Sequence, residues 1–267
     1  MENSTNKKMT GGEAIVKSLI NEGVETIFGL PGIQLDPMFN ALHDSSNEIR
    51  VINARHEQGV AYMAFGYAQS TGKPGVYAVV PGPGILNTTA ALSTAYACNS
   101  RVLAITGQIP SSYIGRELGM LHEIPNQLSI LEGLTKFAKR INYPSDAPAI
   151  VSEAFKNMRS GRPRPTAIEM PMDIMQHKSE VTLRKFTDGY SPPAVDPDSI
   201  KEAALILGAA KNPVIFVGTG AYEASKEVTI LAEMLQAPVI SYQNGRGVID
   251  ERPVSYTHLR AHETPLY

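Results

Sequence analysis

The chain has 267 residues, 43 % hydrophobic and 19 % charged, a balance that suits a soluble globular protein of one large or two smaller domains. With 24 Lys plus Arg against 26 Asp plus Glu the net charge is -2, which argues against a basic nucleic-acid binder and an acidic disordered tail. One cysteine, Cys98, allows no internal disulfide, and the chain has neither a membrane-length apolar run nor the apolar core of a signal peptide, so a cytoplasmic protein with no membrane partner is expected.

Order is expected to begin at Thr10. Thr10-Gly-Gly-Glu13 has capping-box spacing, Ala14, Ile15, Leu19 and Ile20 recur at helical period, and Gly23 closes the helix. ETIFG reads as a short buried strand, LPG as a turn, and 37–43 as a helix. IRVINA (49–54) is a strand followed by a helix over 57–69, and GVYAVV (75–80) a strand followed by one helix over 85–97. RVLAIT (101–106) is a further apolar strand. From Gly107 the pattern loosens into a long loop with a helix near 127–134; a strand at 137–141, a helix over 147–160 and the strand PTAIEMP (165–171) follow. Strands that are apolar throughout and alternate with helices predict an α/β fold, a parallel sheet covered by helices on both faces.

The first domain is placed at 10–177, and 178–196, with its Pro192-Pro193 pair and no apolar periodicity, reads as a linker. A second, truncated α/β unit runs over 197–253: helix 198–210, strand 213–218, helix 221–235 and strand 238–242. One crossover is too small to cover both faces of a sheet. Residues 254–267 do not continue it and are expected to be a non-native tail. His258-x-x-x-His262 there has the spacing of a helical metal pair, but it lacks a third ligand and a supporting fold, so no metal site is assigned.

Three glycine-rich turns close predicted parallel strands: Gly29-Leu-Pro31-Gly32, Pro81-Gly-Pro83-Gly84 and Gly107-Gln108-Ile-Pro110. Ligands bind at that edge of an open parallel sheet, because loops and helix N-termini converge there. Arg55-His56-Glu57-Gln58-Gly59 falls on the same edge. Glu57 there is either a first-turn acid that complements the helix dipole or a carboxylate set to meet a ring.

FGLPG, RHEQGVAYMAFGYAQSTGKPGV, VPGPGILNTTAAL, RVLAITGQIP and RPRPTAIEMPMDI, in this order and spacing, resemble the N-terminal half of thiamine-diphosphate enzymes of the acetolactate synthase type. The resemblance implies a pyrimidine-binding domain followed by the start of a Rossmann-like central domain. It implies a carboligase or decarboxylase of 2-keto acids, working as a homodimer or homotetramer with shared active sites. Glu57 matches the acid that bonds the cofactor's aminopyrimidine ring and so promotes loss of the thiazolium proton. Pro31, Gly32, Pro83, Gly84 and Asn87 match the turns that line that ring, with a cap as the alternative role for Asn87. Ile33, Gln108 and His122 fall on the substrate side.

Three departures bear on the substrate. Ile33 stands where the family usually has Gly, Leu121-His122-Glu123 where it has Phe-Gln-Glu, and Pro171-Met172-Asp173 where it has Pro-Lys-Asp. No Gly-Asp-Gly motif occurs, and the nearest string is Asp188-Gly189 after Thr187. The resemblance therefore implies thiamine diphosphate with Mg²⁺ held by a C-terminal domain that this chain lacks. It also raises FAD for the central domain, although Glu223 stands where a dinucleotide fingerprint begun at Gly218-Thr-Gly220 would place its third glycine. A binding or regulatory module without catalysis and a nucleotide-linked α/β enzyme remain as alternatives.

Overall fold

The computed structural model describes residues 5–183, 194–242 and 245–250. Asp188-Gly189, the Pro192-Pro193 pair and the expected tail with His258 and His262 lie outside them. The chain divides into two compact units between residues 192 and 193.

In the first unit, β1 (Thr5–Thr10) leads into α1 (Gly11–Asn21) through the expected capping box. Thr10 Oγ1 accepts the Glu13 N–H at 3.1 Å, and Glu13 Oε2 accepts the Thr10 N–H at 2.6 Å. There follow β2 (Thr26–Gly29), α2 (Asp36–Asp44), β3 (Arg50–Asn53), α3 (Glu57–Thr71), β4 (Gly75–Val79), α4 (Pro83–Leu86) and α5 (Thr89–Ala97). The unit continues with β5 (Val102–Gln108), α6 (Gln127–Leu134), β6 (Phe137–Arg140), α7 (Ala147–Arg159), β7 (Thr166–Pro171), α8 (Met172–Gln176) and β8 (Lys178–Leu183).

Six of these strands form one parallel sheet in the order β3-β2-β4-β5-β7-β6. Every residue of β4, β5 and β7 is buried, so the apolar runs in the sequence are strands covered on both faces. Successive residues serve opposite cores. Val76, Ala78, Leu103 and Ile105 pack with Ile15, Leu19, Met38 and Phe155 on one face; Tyr77, Val79, Val102 and Ala104 pack with Val60, Ala64, Leu92 and Leu131 on the other. β3 lies on one side of β2 and β4 on the other, so the order reverses there and opens a crevice at the carboxyl ends.

Three local features differ from the sequence-based expectations. Order starts before Thr10, and 178–183 is not linker: β1 and β8 pair antiparallel from Thr5↔Leu183 to Thr10↔Lys178. In KSEVTL one residue, Val181, is fully buried, too weak an alternation to read as a strand without its partner. The helix expected over 85–97 is two helices, α4 and α5, because buried Thr88 is pinned from both sides: its Oγ1 accepts from Tyr77 Oη at 2.8 Å and donates to the Ile85 carbonyl at 2.7 Å. The short helix α8, directly after β7, has no counterpart in the sequence reading.

The second unit holds α9 (Pro197–Ala209), β9 (Ile215–Val217), α10 (Ser225–Leu235) and β10 (Val239–Ser241), with β9 and β10 parallel. Its core is small, gathered around Val217, Ala232, Val239, Val248 and Ile249. Phe216, Leu205 and Met234 are exposed, in keeping with one crossover's inability to cover a sheet. No helix among the described residues is long and apolar enough to cross a membrane.

Candidate active site

The three glycine-rich turns meet at the carboxyl edge of the sheet. A Cβ placed on Gly107 would lie 3.1 Å from Pro81 Cδ and 3.2 Å from the Gln34 carbonyl, so the carboxyl end of β5 meets the segments that follow β4 and β2. Gln34, 5 % exposed, carries a buried Oε1 with no hydrogen-bond partner at this junction.

Val80, at the end of β4, is clasped by two glycines. A Cβ on Gly32 would fall 2.4 Å from Val80 Cγ1, and one on Gly84 would fall 2.5 Å from Val80 Cγ2, closer than any side chain tolerates. Both turns therefore need glycine for close approach. Pro31 and Pro83 are exposed beside them, with Pro83 at the first position of α4, where its missing N–H costs nothing. Half-buried Glu57 opens α3 after β3, behind His56, whose Nδ1 caps the helix by accepting the Gln58 N–H at 3.1 Å. Asn87 follows α4, and its Nδ2 donates to Glu57 Oε2 at 3.0 Å. Glu57 Oε1 has no hydrogen-bond partner among the described residues and lies 3.7 Å from where a Gly84 Cβ would be. The structure thus brings Gly32, Gly84, Glu57 and Asn87 to one place: a carboxylate with one oxygen held and the other unengaged, over a floor of glycine turns.

His122 sits beside the same turn from the other direction. Its Nδ1 is 2.9 Å from the Pro81 carbonyl, which can only accept, so Nδ1 carries the proton. Gly82 has φ +62, and a Cβ there would lie 2.5 Å from the His122 carbonyl, so left-handed backbone and close approach both require glycine. Ile33 is 65 % exposed, in the one-turn 3-10 helix that follows Gly32. Gln108 is buried at the end of β5 and borders a separate cavity under the 109–127 loop.

Beneath the turns lies a buried polar network absent from the sequence analysis. Gln127, 1 % exposed, accepts the Gly82 N–H at 2.9 Å with Oε1. Its Nε2 donates to the Gly107 carbonyl at 3.0 Å and to Glu169 Oε2 at 2.7 Å. Fully buried Glu169 is paired through its other oxygen with Arg140 Nε at 2.5 Å. The available signal was a lone acid inside the apolar strand PTAIEMP, which demands a buried partner.

In the second unit Gly218 follows β9 and is the N-cap of a 3-10 turn at Thr219–Ala224, with no side-chain cap. Among the described residues no group of three or more His, Cys, Asp or Glu side chains is placed to hold a metal ion.

Comparison with known proteins bears on the family of the chain. Residues 9–130 match the thiamine pyrophosphate enzyme N-terminal TPP binding domain, and residues 200–265 match the thiamine pyrophosphate enzyme central domain. The second match extends into 254–265, which the sequence analysis set apart from that unit. The chain is 37 % identical over 253 residues to a probable acetolactate synthase large subunit of Methanocaldococcus jannaschii, covering 91 % of this chain and 42 % of that protein. It is 34 % identical over 261 residues to the acetolactate synthase isozyme 1 large subunit of Escherichia coli, covering 97 % and 46 %. It is also 34 % identical over 247 residues to a probable 2-ketoarginine decarboxylase of Pseudomonas aeruginosa, covering 91 % and 43 %. The chain spans less than half the length of each of these relatives. With both domain models matched in order and a six-stranded parallel sheet in the first unit, the chain belongs to the thiamine pyrophosphate enzyme family.

Proposed function

We propose that this chain supplies the pyrimidine-binding half of a thiamine-diphosphate-dependent carboligase or decarboxylase acting on 2-keto acids. The observation that carries the reading is the Glu57 carboxylate, held on one oxygen by Asn87 at 3.0 Å and unengaged on the other, above the Gly32–Val80–Gly84 clasp. A flat heteroaromatic ring with hydrogen-bonding nitrogens fits such a floor, because Val80 Cγ2, 2.5 Å from a Gly84 Cβ position, keeps any side chain away from the space beside Glu57 Oε1. When bound, thiamine diphosphate supplies the nucleophilic thiazolium carbon that attacks the substrate's carbonyl.

The chain's own residues orient and relay. Glu57 Oε1 takes or gives one proton at a ring nitrogen, and Asn87 fixes the carboxylate's rotamer through Oε2. Pro31, Gly32, Pro83 and Gly84 let backbone approach the ring edge, and the Gln127 network fixes the Gly82 turn. In the whole protein the diphosphate and Mg²⁺ are held by another domain, contributed across a homodimer or homotetramer interface in the cytoplasm. FAD belongs to the central unit in this reading and takes no part in the proton relay. The relatives' names include both acetolactate synthesis and 2-ketoarginine decarboxylation, and the reading spans both kinds of reaction.

Hydrogen–deuterium exchange at the thiazolium carbon, measured on the whole protein with thiamine diphosphate and Mg²⁺, tests the proposal. Glu57→Gln is expected to slow exchange by roughly 10²–10⁴-fold, the worth of one positioned proton-transfer group. Equal exchange in variant and wild type removes Glu57 from the reaction.

A further inference from the structure

Two side chains at the end of the 109–127 loop grip one peptide of the site from opposite ends. The Pro81 carbonyl and the Gly82 N–H belong to a single planar unit. His122 Nδ1–H donates to that carbonyl at 2.9 Å, and Gln127 Oε1 accepts that N–H at 2.9 Å. The other bond the carbonyl accepts, from the Gly84 N–H, is long at 3.4 Å. Gln127 is itself anchored to the Gly107 carbonyl and to Glu169, so its end of the grip is tied to β5 and β7. The other end depends on His122.

His122 stands where a turn has little use for a large side chain. It is the third residue of a turn closed by the Glu123 N–H on the Met120 carbonyl at 2.9 Å and by the Met120 N–H on Glu123 Oε2 at 2.8 Å. Its φ is +71, the left-handed backbone that this turn position usually gives to glycine or asparagine. Glycine would meet the needs of the turn; the imidazole adds a donor on Pro81. Backbone strain held in place beside a site is a mark of a positioning device. Contact is close in the reverse direction too, since a Cβ on Gly82 would lie 2.5 Å from the His122 carbonyl.

The gripped peptide leads straight to the carboxylate of the site. The Gly82 carbonyl accepts the Leu86 N–H at 3.1 Å and the Pro83 carbonyl the Asn87 N–H at 3.0 Å, so α4 is built on this turn. Asn87 Nδ2 then holds Glu57 Oε2 at 3.0 Å. We infer that His122 is a positioning residue: by fixing the Pro81–Gly82 peptide it fixes α4, and through Asn87 it fixes the Glu57 carboxylate. The inference rests on the proposed function for the proton that Glu57 relays; the grip comes from the geometry. It sets His122 to work before substrate arrives, whereas the substrate-side role implied by the family resemblance begins only afterwards.

His122→Gly and His122→Asn separate the donor from the backbone of the turn. Both residues suit φ +71, and only asparagine keeps an N–H to offer the Pro81 carbonyl. Two quantities are read on the whole protein: residue-resolved amide hydrogen exchange at Gly82 without cofactor, and hydrogen–deuterium exchange at the thiazolium carbon with thiamine diphosphate and Mg²⁺. His122→Gly is expected to speed the first by about tenfold and slow the second by about tenfold, the worth of one hydrogen bond, and His122→Asn to recover most of both. Unaltered exchange at Gly82 or at the thiazolium carbon in His122→Gly, or an asparagine variant no better than the glycine one, overturns the inference. So does a His122→Gly protein that loses turnover of a 2-keto acid while thiazolium exchange stays normal, since the ring then belongs to the substrate side. Glu57→Gln measured in parallel keeps the two readings apart. Normal thiazolium exchange in Glu57→Gln overturns the proposed chemistry and leaves Gly82 exchange to report on the grip; slow exchange there with normal exchange in His122→Gly overturns the inference alone.

Discussion

Asn87 Nδ2 donates to Glu57 Oε2 at 3.0 Å, joining the end of α4 to the first residue of α3 across 30 residues of chain. The bond exists because the helix after β4 breaks at buried Thr88 instead of running on from 85 to 97. Asn87→Leu should lower the thiazolium exchange rate by about tenfold through loss of one bond to a charged group. Because the pair is exposed, urea unfolding of the same variant should move by no more than about 0.5 kcal/mol. A large loss of stability with unchanged exchange would make Asn87 a cap and nothing more.

Gly84→Ala should destabilise the first unit by about 1–3 kcal/mol, since its new methyl would meet Val80 Cγ2 at 2.5 Å. Val80→Ala removes that methyl, so in a double-mutant cycle followed by urea unfolding the pair should be less destabilised than the sum of the singles, by about 1 kcal/mol. Strict additivity would show that the clash is relieved elsewhere.

Gln127→Leu strips partners from the Gly82 N–H, the Gly107 carbonyl and Glu169 Oε2 at once. Loss of about 3–5 kcal/mol is expected, because the carboxylate left behind is fully buried. Combining Gln127→Leu with Glu169→Leu and Arg140→Leu should recover part of that loss by removing the stranded charges. Chemical denaturation of the single and triple variants checks both expectations.

Burial pushes the Glu22 carboxyl above its ordinary value of 4.5; a Ser152 hydrogen bond and the Arg159 guanidinium at 3.5 Å oppose the shift without cancelling it. A raised value means that the folded protein holds this proton more tightly than the unfolded chain does. The contribution to stability is therefore full below 4.5 and lost as pH rises through the folded-state value. Glu22→Gln mimics the protonated form. It should melt at a higher temperature than wild type at pH 7.5, with the gap closing by pH 4, as thermal unfolding at the two pH values would show.

The parts of the molecule written in local pattern were legible from the sequence. Uniformly apolar strands such as GVYAVV and RVLAIT can be satisfied only between two layers of helices, and glycine-rich turns at their ends place backbone at the ligand edge of a parallel sheet. The Thr10–Glu13 capping box is likewise local, four consecutive residues with two reciprocal bonds. The role proposed for Glu57 came from the family resemblance carried by RHEQG and its neighbouring motifs; the turns around it left a first-turn acid as an equal reading. What the sequence withheld depends on partners far along the chain. β8 is a strand because β1 lies beside it, with Thr5 against Leu183, and a six-residue segment with one fully buried apolar side chain does not announce that pairing. Gln127 meets Glu169 across 42 residues, and Arg140 meets it across 29, so a network that looks like scattered surface polarity in the string becomes buried and fully engaged when β5, β6 and β7 lie side by side. Val80 acquires its need for glycine at 32 and 84 only when the two turns close on it. Short-range spacing marks the strands of the parallel sheet and most of the helices and turns around it; the close packing of distant segments decides the β1–β8 pairing and which polar groups face one another, and chemistry depends on that second choice.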